Sequence, residues 1–506
     1  MSTALTHPLW RLSPIPELFA AQAPARPDVL VIGAGIAGLV TALNCAQDGR
    51  SVVVLEREGH GAGESGRTTA HLANALDDRY TALQRLHGED GARLAAASHA
   101  AAIDWIESFA QRVDGQCGFR RVPGYLFTCH GDVTGLRDEA QAAAKAGLDA
   151  QFLEEGIPGL PTLGPAVRFE RQGRVDMGLL LDALARACLS AGVVFVRGFA
   201  VDVSGGEPAS VTLDNGQVLQ AGAVVVASNV PFHERVAIHT KQAPYRSYVV
   251  AGPVERDTVP DALIWDDGDP YHYVRLAEDA QDGSPILIVG GEDHKTGQSE
   301  DTEAFVRLQE WTRARFPGVQ RFTHGWSGQI LEPADGMAFI GADPGGEDNV
   351  YVVTGDSGNG VTHGTLAGLL LSDLIGGRDN AWAALYAPDR KIIKGASEWL
   401  RENANVAAQY RDWVAPGDAG LETLARGEGT VLRRGMHRVA AYRDGEGTVH
   451  AFNARCPHMG CAVRWSPQEK SWDCPCHGSR FAASSGEVLN GPASSPLSPW
   501  DEPLQR

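Results

Sequence analysis

The segment from Asp28 to Glu56 constrains the fold more than any other part of the chain. It reads DVLVIGAGIAGLVTALNCAQDGRSVVVLE: an apolar strand, the pattern GxGxxG at Gly33, Gly35 and Gly38, a helix-forming run and a second apolar strand. These glycines permit a tight turn, a close backbone approach to a pyrophosphate, and close packing of helix on strand. Glu56 closes the second strand, where a carboxylate can bind a ribose diol. The segment therefore predicts a dinucleotide-binding βαβ unit.

Further segments indicate which dinucleotide this unit binds. No second GxGxxG follows a strand, as a pyridine-nucleotide-dependent flavoprotein would normally have. Residues 64–72 read ESGRTTAHL, residues 223–228 read AVVVAS, and two glycine-rich segments span 325–341 and 349–375. Together these segments resemble the D-amino-acid oxidase family of FAD-dependent oxidoreductases over roughly residues 28–385. The resemblance implies an α/β FAD-binding domain of the Rossmann type with an antiparallel-sheet substrate domain.

The resemblance also assigns the FAD contacts residue by residue. It places the glycine motif at the pyrophosphate, Glu56 at the adenosine ribose, the Val201 backbone beside the adenine, and residues 355–361 under the flavin ring. The implied FAD-binding residues are Gly33, Gly35, Gly38, Glu56, Arg57, Ser65, Arg67, Thr68, Val201, Gly355, Asp356, Gly358, Asn359, Gly360 and Val361. The alternative for Asp356 is a plain turn or capping residue. No His or Cys is clearly placed for covalent attachment near 64–72, so we expect noncovalent FAD.

Residues 89–170 and 241–325 are expected to form the substrate part. Within it, Tyr245–Val254 and Pro285–Gly291 read as strands of an antiparallel sheet. The candidate catalytic residues are His71, Arg246, Tyr248 and Trp326, and weaker candidates are Tyr245, His272, Tyr273 and His294. A single His or Tyr on a strand is more often a packing residue than a catalytic one, and Arg on a strand is more often a surface residue. Arg246 could pair with a substrate carboxylate.

The second informative region, residues 456–479, reads CPHMGCAVRWSPQEKSWDCPCHGS. Cys456 and His458 form C-x-H, and Cys474 and His477 form C-x-x-H, a ligand set that allows zinc or a Rieske [2Fe–2S] cluster. Zinc fingers usually pair their cysteines in one knuckle. Here each knuckle supplies one Cys and one His, which suits one iron held by both cysteines and another by both histidines.

The sequences CPHMGC and CPCHGS resemble the Rieske signature, and the resemblance extends over about residues 415–506. It implies an all-β domain with Cys456, His458, Cys474 and His477 as cluster ligands. It also implies a disulfide between Cys461 and Cys476 that joins the two cluster loops, and a shielding proline loop at 491–493. In this family the histidine ligands usually face solvent, so we expect them to form the electron exit.

These two regions suggest a domain organisation. We expect an N-terminal arm at 1–27, the flavin domain at 28–388, a helical linker at 389–414 and the Rieske domain at 415–506. With 44 Lys and Arg against 63 Asp and Glu, the formal charge is −19, which disfavours nucleic acid as a partner. No apolar run approaches the ~18 residues of a membrane span, and no signal peptide is evident. We therefore expect a cytoplasmic protein without an integral membrane segment.

Two redox centres in one chain suggest electron transfer between them. The expected function is oxidation of a small amine or amino-acid-like substrate, with electrons passing from FAD through the cluster to an external acceptor protein or quinone. One alternative is an oxygen-using flavin oxidase with a structural or regulatory cluster. Another is a non-enzymatic redox carrier or sensor. A Rieske oxygenase would need a further domain with mononuclear iron, and the flavin domain already occupies that part of the chain.

Overall fold

The computed structural model describes residues 7–503, except 116, 234–237, 280–281, 300, 393 and 414–419. Residues 1–6 of the expected arm and 414–419 at the expected linker–Rieske boundary lie outside the described residues. The α-helices are α1 (Ile36–Gln47), α2 (Tyr80–Arg112), α3 (Val133–Ala146), α4 (Met177–Ser190), α5 (Ala304–Arg315), α6 (Gly360–Ile375), α7 (Ala383–Tyr386) and α8 (Ala396–Gln409).

The strands divide between the flavin part and the C-terminal part. Those of the flavin part are β1 (Val29–Ile32), β2 (Val52–Glu56), β3 (His71–Leu72), β4 (Arg120–Phe127), β5 (Ala150–Leu153), β6 (Ala166–Arg174), β7 (Val194–Arg197), β8 (Ala200–Ser204), β9 (Ala209–Leu213), β10 (Val218–Ala221), β11 (Ala223–Val226), β12 (Gln242–Pro253), β13 (Leu263–Asp266), β14 (His272–Glu278), β15 (Pro285–Lys295), β16 (His324–Pro333), β17 (Phe339–Ala342) and β18 (Val350–Thr354). Those of the C-terminal part are β19 (Glu428–Arg434), β20 (His437–Arg443), β21 (Val449–Asn453), β22 (Arg464–Ser466), β23 (Ser471–Asp473), β24 (Arg480–Ala482) and β25 (Val488–Asn490).

The dinucleotide-type unit lies at the centre of a six-stranded sheet with the order β17-β18-β11-β1-β2-β7. Strand β1 pairs in parallel with β2 on one side and β11 on the other. All four residues of β1 are buried, because helices of the main core cluster cover one face and the small β8–β10 sheet contributes to the cluster on the other. Burial on both faces explains why this strand is apolar without alternation.

A second, larger sheet carries the substrate part, in the order β16-β12-β15-β14-β13-β4-β6-β3, with β5 added on β6. The two strands expected from sequence lie in this sheet as β12 and β15, which pair antiparallel. The β13–β4 pair is parallel, so the sheet is mixed. Strand β12 also pairs antiparallel with β16, which brings the 325–333 segment alongside the substrate sheet.

The N-terminal segment joins the first sheet rather than extending away from it. Phe19 forms a parallel bridge with Phe195 of β7. Trp10 is buried, and its indole N–H donates to the Thr68 carbonyl at 2.5 Å. The guanidinium of Arg275 lies over the Trp10 ring, 5.2 Å from its centroid. This packing holds the segment against the 64–72 loop.

Helix α8 contacts both halves of the molecule. Lys295 of the substrate sheet pairs with Glu402 of α8, with 2.7 Å between Nζ and Oε1. Just after the helix, the Tyr410 hydroxyl donates to the Met459 carbonyl at 2.9 Å. Beyond it the chain forms a three-stranded sheet, β19-β20-β21, and a four-stranded sheet, β22-β23-β24-β25. Within the described ranges, no helix has the length and apolar character needed to cross a bilayer.

Candidate functional site

A cavity of about 720 Å³ opens at the carboxyl ends of β1 and β2, lined by the glycine motif. Gly33 has φ +103°, and a Cβ there would lie 2.6 Å from the Ala227 carbonyl oxygen. A Cβ on Gly35 would lie 2.8 Å from Ser65 Oγ, and one on Gly38 would collide with the Gly33 carbonyl. Side chains would therefore fill or distort this turn, and its bare backbone suits a pyrophosphate.

Glu56 and Arg57 line the next part of the cavity. The Glu56 carboxylate accepts from the backbone N–H of Ala34 at 2.9 Å and from that of Glu58 at 2.8 Å. These bonds fix the carboxylate beside the glycine turn, where its remaining lone pairs can bind a diol. The Arg57 guanidinium lies 5.3 Å from the centroid of the Phe199 ring.

The 64–72 loop supplies Ser65, Arg67 and Thr68 to the cavity wall. Ser65 Oγ accepts from the Ile36 N–H of α1 at 3.0 Å. Arg67 donates to the Ser327 carbonyl of β16 at 3.1 Å. The loop thus closes over the glycine turn and joins it to the substrate sheet.

The turn between β18 and α6 forms another wall of the cavity. The residues expected from sequence to line it do so: Gly355, Asp356, Gly358, Asn359, Gly360 and Val361. The Asp356 carboxylate accepts from the Leu331 N–H at 3.2 Å, and burial raises the pKa of Asp356 to about 6. Asp356 is therefore more than a turn residue, because its side chain ties the turn to β16.

One expected FAD contact is placed differently. Val201 does not line the cavity; Gly198, Phe199 and Ala200 do. Ala200 begins β8 and pairs with Leu213, and the β8–β9 register shifts directly after it, between Ala200 and Asp202. Residues 198–200 thus line the cavity where Val201 was expected, and the adenine contact itself stays a prediction.

Two of the four catalytic candidates, His71 and Trp326, line the cavity. His71 lies 3.0 Å from Thr69 Oγ1 through Nδ1 and 3.3 Å from the Val274 carbonyl through Nε2. The carbonyl can only accept, so Nε2 carries the proton. Burial, reinforced by Arg275, lowers the pKa of His71 to about 3. With both nitrogens engaged, His71 is a neutral positioning group.

The other two candidates, Arg246 and Tyr248, do not line the cavity, which corrects their expected placement. Successive side chains of a strand point to opposite faces, and on β12 it is Ser247 and Val249 that face the cavity. Arg246 donates to Glu469 at 2.8 Å. The Tyr248 hydroxyl is 2.9 Å from His294 Nε2. Both side chains have structural partners instead.

The weaker candidates divide in the same way. Tyr273 lines the cavity, and its hydroxyl lies 2.7 Å from Ser247 Oγ. His272 stacks on Trp311 with 4.3 Å between ring centroids and is absent from the cavity wall, as are Tyr245 and His294.

Acidic residues that the sequence did not single out surround one end of the cavity. Asp77 and Tyr271 line it, and the Tyr271 hydroxyl lies 3.4 Å from the Asp77 carboxylate. Enclosure, followed by the charge of Asp78, raises the pKa of Asp77 to about 7. The pair of consecutive aspartates matches no motif, so only its tertiary position identifies it.

Behind Asp77, the Ser357 hydroxyl joins two carboxylates. Its Oγ is 2.7 Å from Asp78 Oδ2 and 2.8 Å from Glu332 Oε2. A hydroxyl has one proton to donate, so it satisfies one carboxylate and accepts from the other, which must then be protonated. Burial is the largest cause that raises the pKa of both groups, that of Asp78 to about 6. Both carboxyl groups therefore hold a proton more readily than they would in water.

The C-terminal ligand set converges as the spacing predicts. Two similar turns carry it: the Gly460 N–H donates to the Cys456 carbonyl at 2.9 Å, and the Gly478 N–H donates to the Cys474 carbonyl at 3.1 Å. Both glycines have φ +79°. The two cysteine thiols contact each other, and the His458 and His477 rings lie 5.0 Å apart. A sulfur pair and an imidazole pair carried by the same two turns fit a two-iron cluster.

The disulfide implied by the resemblance is present between Cys461 and Cys476. It joins the two turns, and both of its cysteines are buried. The Ser479 hydroxyl lies against the Cys456 thiol and accepts from the Ala493 N–H of the 491–493 loop at 3.0 Å. The loop expected to shield the cluster therefore contacts the cluster site directly.

The expected exposure of the histidine ligands is wrong for His477, which is buried. The ring of His239, from the flavin part, lies 4.9 Å from the His458 ring and 5.8 Å from the His477 ring, centroid to centroid. The flavin part thus covers the face through which this family usually exchanges electrons. Sequence reasoning missed His239 because the contact is made only by domain docking.

The C-terminal part also forms a wall of the cavity. Its contributions to the lining are Gln468, Glu469, Lys470, Arg480, Val488, Leu489, Asn490, Gly491, Ala493 and Ser494. Asn490 donates to Glu64 at 2.7 Å, and Arg57 donates to the Val488 carbonyl at 2.7 Å. One cavity is therefore built jointly by both halves of the chain.

Comparison with known proteins decides the family. The model of the FAD dependent oxidoreductase family matches residues 28–374, and that of the Rieske [2Fe-2S] domain matches residues 418–501. The chain belongs to the FAD dependent oxidoreductase family. It carries a C-terminal Rieske domain, and the two family assignments imply FAD and a [2Fe–2S] cluster as its cofactors. The glycine turn and the paired ligand turns described above fit these groups.

Relatives share this architecture or its first part. The putative Rieske 2Fe-2S iron-sulfur protein YhfW of Bacillus subtilis is 28% identical, with 97% of each chain covered. The gamma-glutamylputrescine oxidoreductase of Escherichia coli is 26% identical and matches 69% of this chain and 84% of its own. The glycine oxidase structure from Geobacillus kaustophilus superimposes with a TM-score of 0.62 at 20% identity, over 73% of this chain and all of its own. This likeness shows a shared fold.

Proposed function

We propose that this enzyme oxidises a cationic amine at the flavin and delivers the electrons through the Rieske cluster to an external one-electron acceptor. The observation that carries the proposal is the shared cavity. Residues of the Rieske domain, among them Glu469 and Asn490, line the same cavity as the dinucleotide fingerprint. Since His239 of the flavin domain packs beside both histidine ligands and His477 is buried, these ligands serve electron entry from the flavin side, and the exit lies elsewhere on the domain.

The chemistry balances without oxygen. A substrate R–CH₂–NH₃⁺ gives the iminium R–CH=NH₂⁺, two electrons and two protons, and water then hydrolyses the iminium to an aldehyde and ammonium. FAD supplies a hydride acceptor, and the cluster supplies one-electron transfer. Two equivalents of the external acceptor take up the electrons, while the protons must leave through the protein.

The cavity wall supports an amine in preference to a carboxylate at the Asp77 end. Asp77 and Asp356 line the cavity as acidic residues, and Tyr271 and Tyr273 line it as aromatic ones. Carboxylates and aromatic rings both favour an ammonium group. A relative named for glutamylputrescine, a compound that carries an amine, agrees with this substrate class.

The residues around the amine have distinct roles in this proposal. Asp77 binds the ammonium and, near its pKa of about 7, accepts the proton that the amine must lose before hydride transfer. Neutral His71 packs edge-on against Tyr273, with 5.5 Å between ring centroids, and keeps that ring at the cavity wall. Asp78, the next residue in the chain after Asp77, and its partners Ser357 and Glu332 can take the proton onward.

Anaerobic rapid mixing of the purified holoenzyme with a panel of amines, amino acids and alcohols tests the function. The expected result is flavin bleaching by amines, followed by the electron paramagnetic resonance signal of a reduced Rieske cluster. Flavin bleaching with an oxidised cluster, together with stoichiometric peroxide in air, would instead establish an oxygen-using oxidase. Absence of bleaching by every compound would favour a redox carrier or sensor.

A further inference from the structure

The end of the cavity beside Glu56 is walled by both domains. Arg57, the next residue, lines the cavity, and its guanidinium donates to the Val488 carbonyl of β25 at 2.7 Å. The same guanidinium lies 5.3 Å from the centroid of the Phe199 ring. Phe199 lines the cavity too, and it packs against the core of the Rieske domain. The Rieske domain therefore sits on the flavin domain where β2 ends at Glu56.

Leu489 places an apolar side chain in this shared wall. Its neighbour Val488 packs into the Rieske core, and successive side chains of a strand point to opposite faces, so the Leu489 side chain points away from that core. Leu489 lines the cavity and is 44% exposed. An apolar surface that opens into a binding cavity is stabilised when a ligand covers it.

Leu489 is held in this position from both sides. Val488 before it accepts the bond from Arg57, and the Asn490 amide after it donates to the Glu64 carboxylate at 2.7 Å. Glu64 begins the loop that closes over the glycine turn. Both chain neighbours of Leu489 are thus bonded to the flavin domain, which fixes its side chain relative to the dinucleotide site before a ligand binds.

We propose that Leu489 packs against the adenosine half of FAD, so that the Rieske domain closes the site of the flavin cofactor in addition to carrying the cluster. The bare glycine turn suits the pyrophosphate, and the adjacent Glu56 carboxylate suits a ribose diol. The adenine carried by that ribose then lies at the Arg57 end, where Leu489 and Phe199 offer apolar surface from the two domains. This contact needs the FAD implied by the family, and it is independent of the substrate and of the route of the electrons.

The chain offers a matched control and a conservative variant. Met436 is a large apolar residue in the turn between β19 and β20 of the same domain, is 91% exposed and is not among the residues that line the cavity. Met436→Ala therefore removes a similar amount of side chain without changing the cavity wall. Leu489→Met keeps an apolar side chain of similar volume at the wall.

The test is ligand binding to the full-length, cluster-loaded apoflavoprotein, measured by quenching of FAD fluorescence. Leu489→Ala should raise the FAD dissociation constant about tenfold, because the adenosine loses its apolar contact with the Rieske domain. Leu489→Met and Met436→Ala should bind FAD as the wild type does. ADP, which has the adenosine and pyrophosphate without the flavin, should compete with FAD and should lose affinity by the same factor in Leu489→Ala. Cluster absorbance, measured in parallel, shows that each variant has folded.

An FAD affinity of Leu489→Ala equal to that of Met436→Ala would overturn the proposal. Weaker FAD binding with unchanged competition by ADP would overturn it as well, since the lost contact would then lie at the flavin half. Both measurements use ligand binding alone, so they decide the contact whether or not electrons pass from the flavin to the cluster.

Discussion

The carboxylate of Glu469 in the Rieske domain accepts a hydrogen bond from the Arg246 guanidinium of the flavin domain, with 2.8 Å between Oε2 and NH2. Arg246 is 1% exposed. Glu469 also accepts from Arg480 at 3.1 Å and from the Ser327 hydroxyl at 2.7 Å. The two domains are thus joined by a half-buried carboxylate that accepts three hydrogen bonds at the edge of the shared cavity.

Substitution of Arg246 should loosen this junction. Arg246→Leu leaves the Glu469 carboxylate with Arg480 and Ser327 but one hydrogen-bond partner fewer, and loss of a bond to a charged group costs about 1.5–3 kcal/mol. Urea unfolding followed by tryptophan fluorescence should show a lower midpoint. The control is Arg137→Leu, since Arg137 pairs with Glu154 at 2.5 Å on the surface and such pairs contribute about 0–1 kcal/mol. Equal shifts in the two variants would contradict the role of the junction.

The same junction should respond to acid. Burial alone would raise the pKa of Glu469, but Arg246 and Arg480 outweigh it and lower the pKa from 4.5 to about 2. A lowered pKa means that the stabilisation is present above pH 4.5 and is lost as the pH falls toward 2. Thermal unfolding between pH 6 and 3 should therefore show a steeper loss of stability in the wild type than in Glu469→Gln. If stability fell equally with pH in the wild type and in Glu469→Gln, the lowered pKa of Glu469 would not be the cause of the acid sensitivity.

Amine binding should depend on the ionisation of Asp77. Because the pKa of Asp77 is raised to about 7, the carboxylate becomes charged as the pH rises through that value, and KM for an amine should fall. Asp77→Asn should abolish this dependence and raise KM about tenfold, the equivalent of one hydrogen bond to a charged group. Asp90→Asn, at an exposed position on α2, should keep the wild-type profile. A pH-dependent KM that persists in Asp77→Asn would refute the assignment.

The reduction potential of the cluster should depend on Ser479. Its hydroxyl lies against the Cys456 thiol, and hydrogen bonds to ligand sulfur stabilise the reduced cluster. Ser479→Ala should lower the potential by several tens of millivolts, since about 60 mV corresponds to a tenfold change for one electron. Ser485→Ala, at an exposed position of the same domain, is the control. Protein-film voltammetry of the full chain measures both, and an unchanged Ser479→Ala potential would be inconsistent with the contact.

The flavin should be noncovalent and should not react with pyridine nucleotides. The sequence has one dinucleotide fingerprint, from which we expect no second binding unit for NADH or NADPH. Acid precipitation should release FAD into the supernatant, and stopped-flow mixing with NADH or NADPH should leave the flavin oxidised for minutes. Flavin retained in the pellet would show covalent attachment. Bleaching within seconds would make the protein a reductase.

Local sequence determined the two cofactor sites. The glycine pattern at Gly33, Gly35 and Gly38 follows from steric demands between residues that are near in the chain or paired in one sheet. The Cys456 and Cys474 turns each carry their own ligands, so the spacing together with the Rieske signature predicted the set. Such sites can be predicted from sequence because a few contiguous residues provide the geometry that cofactor binding requires.

Tertiary structure decided what surrounds those sites. The face of β12 that meets the cavity depends on how the strand is placed in its sheet, which put Arg246 and Tyr248 outside and Ser247 inside. The Asp78–Ser357–Glu332 group and the Gln329–Gly478 bond join residues far apart in sequence that match no motif. Docking of the two domains places the His458 and His477 rings next to the His239 ring. Contacts of this kind depend on the packing of whole elements, and no local pattern encodes them.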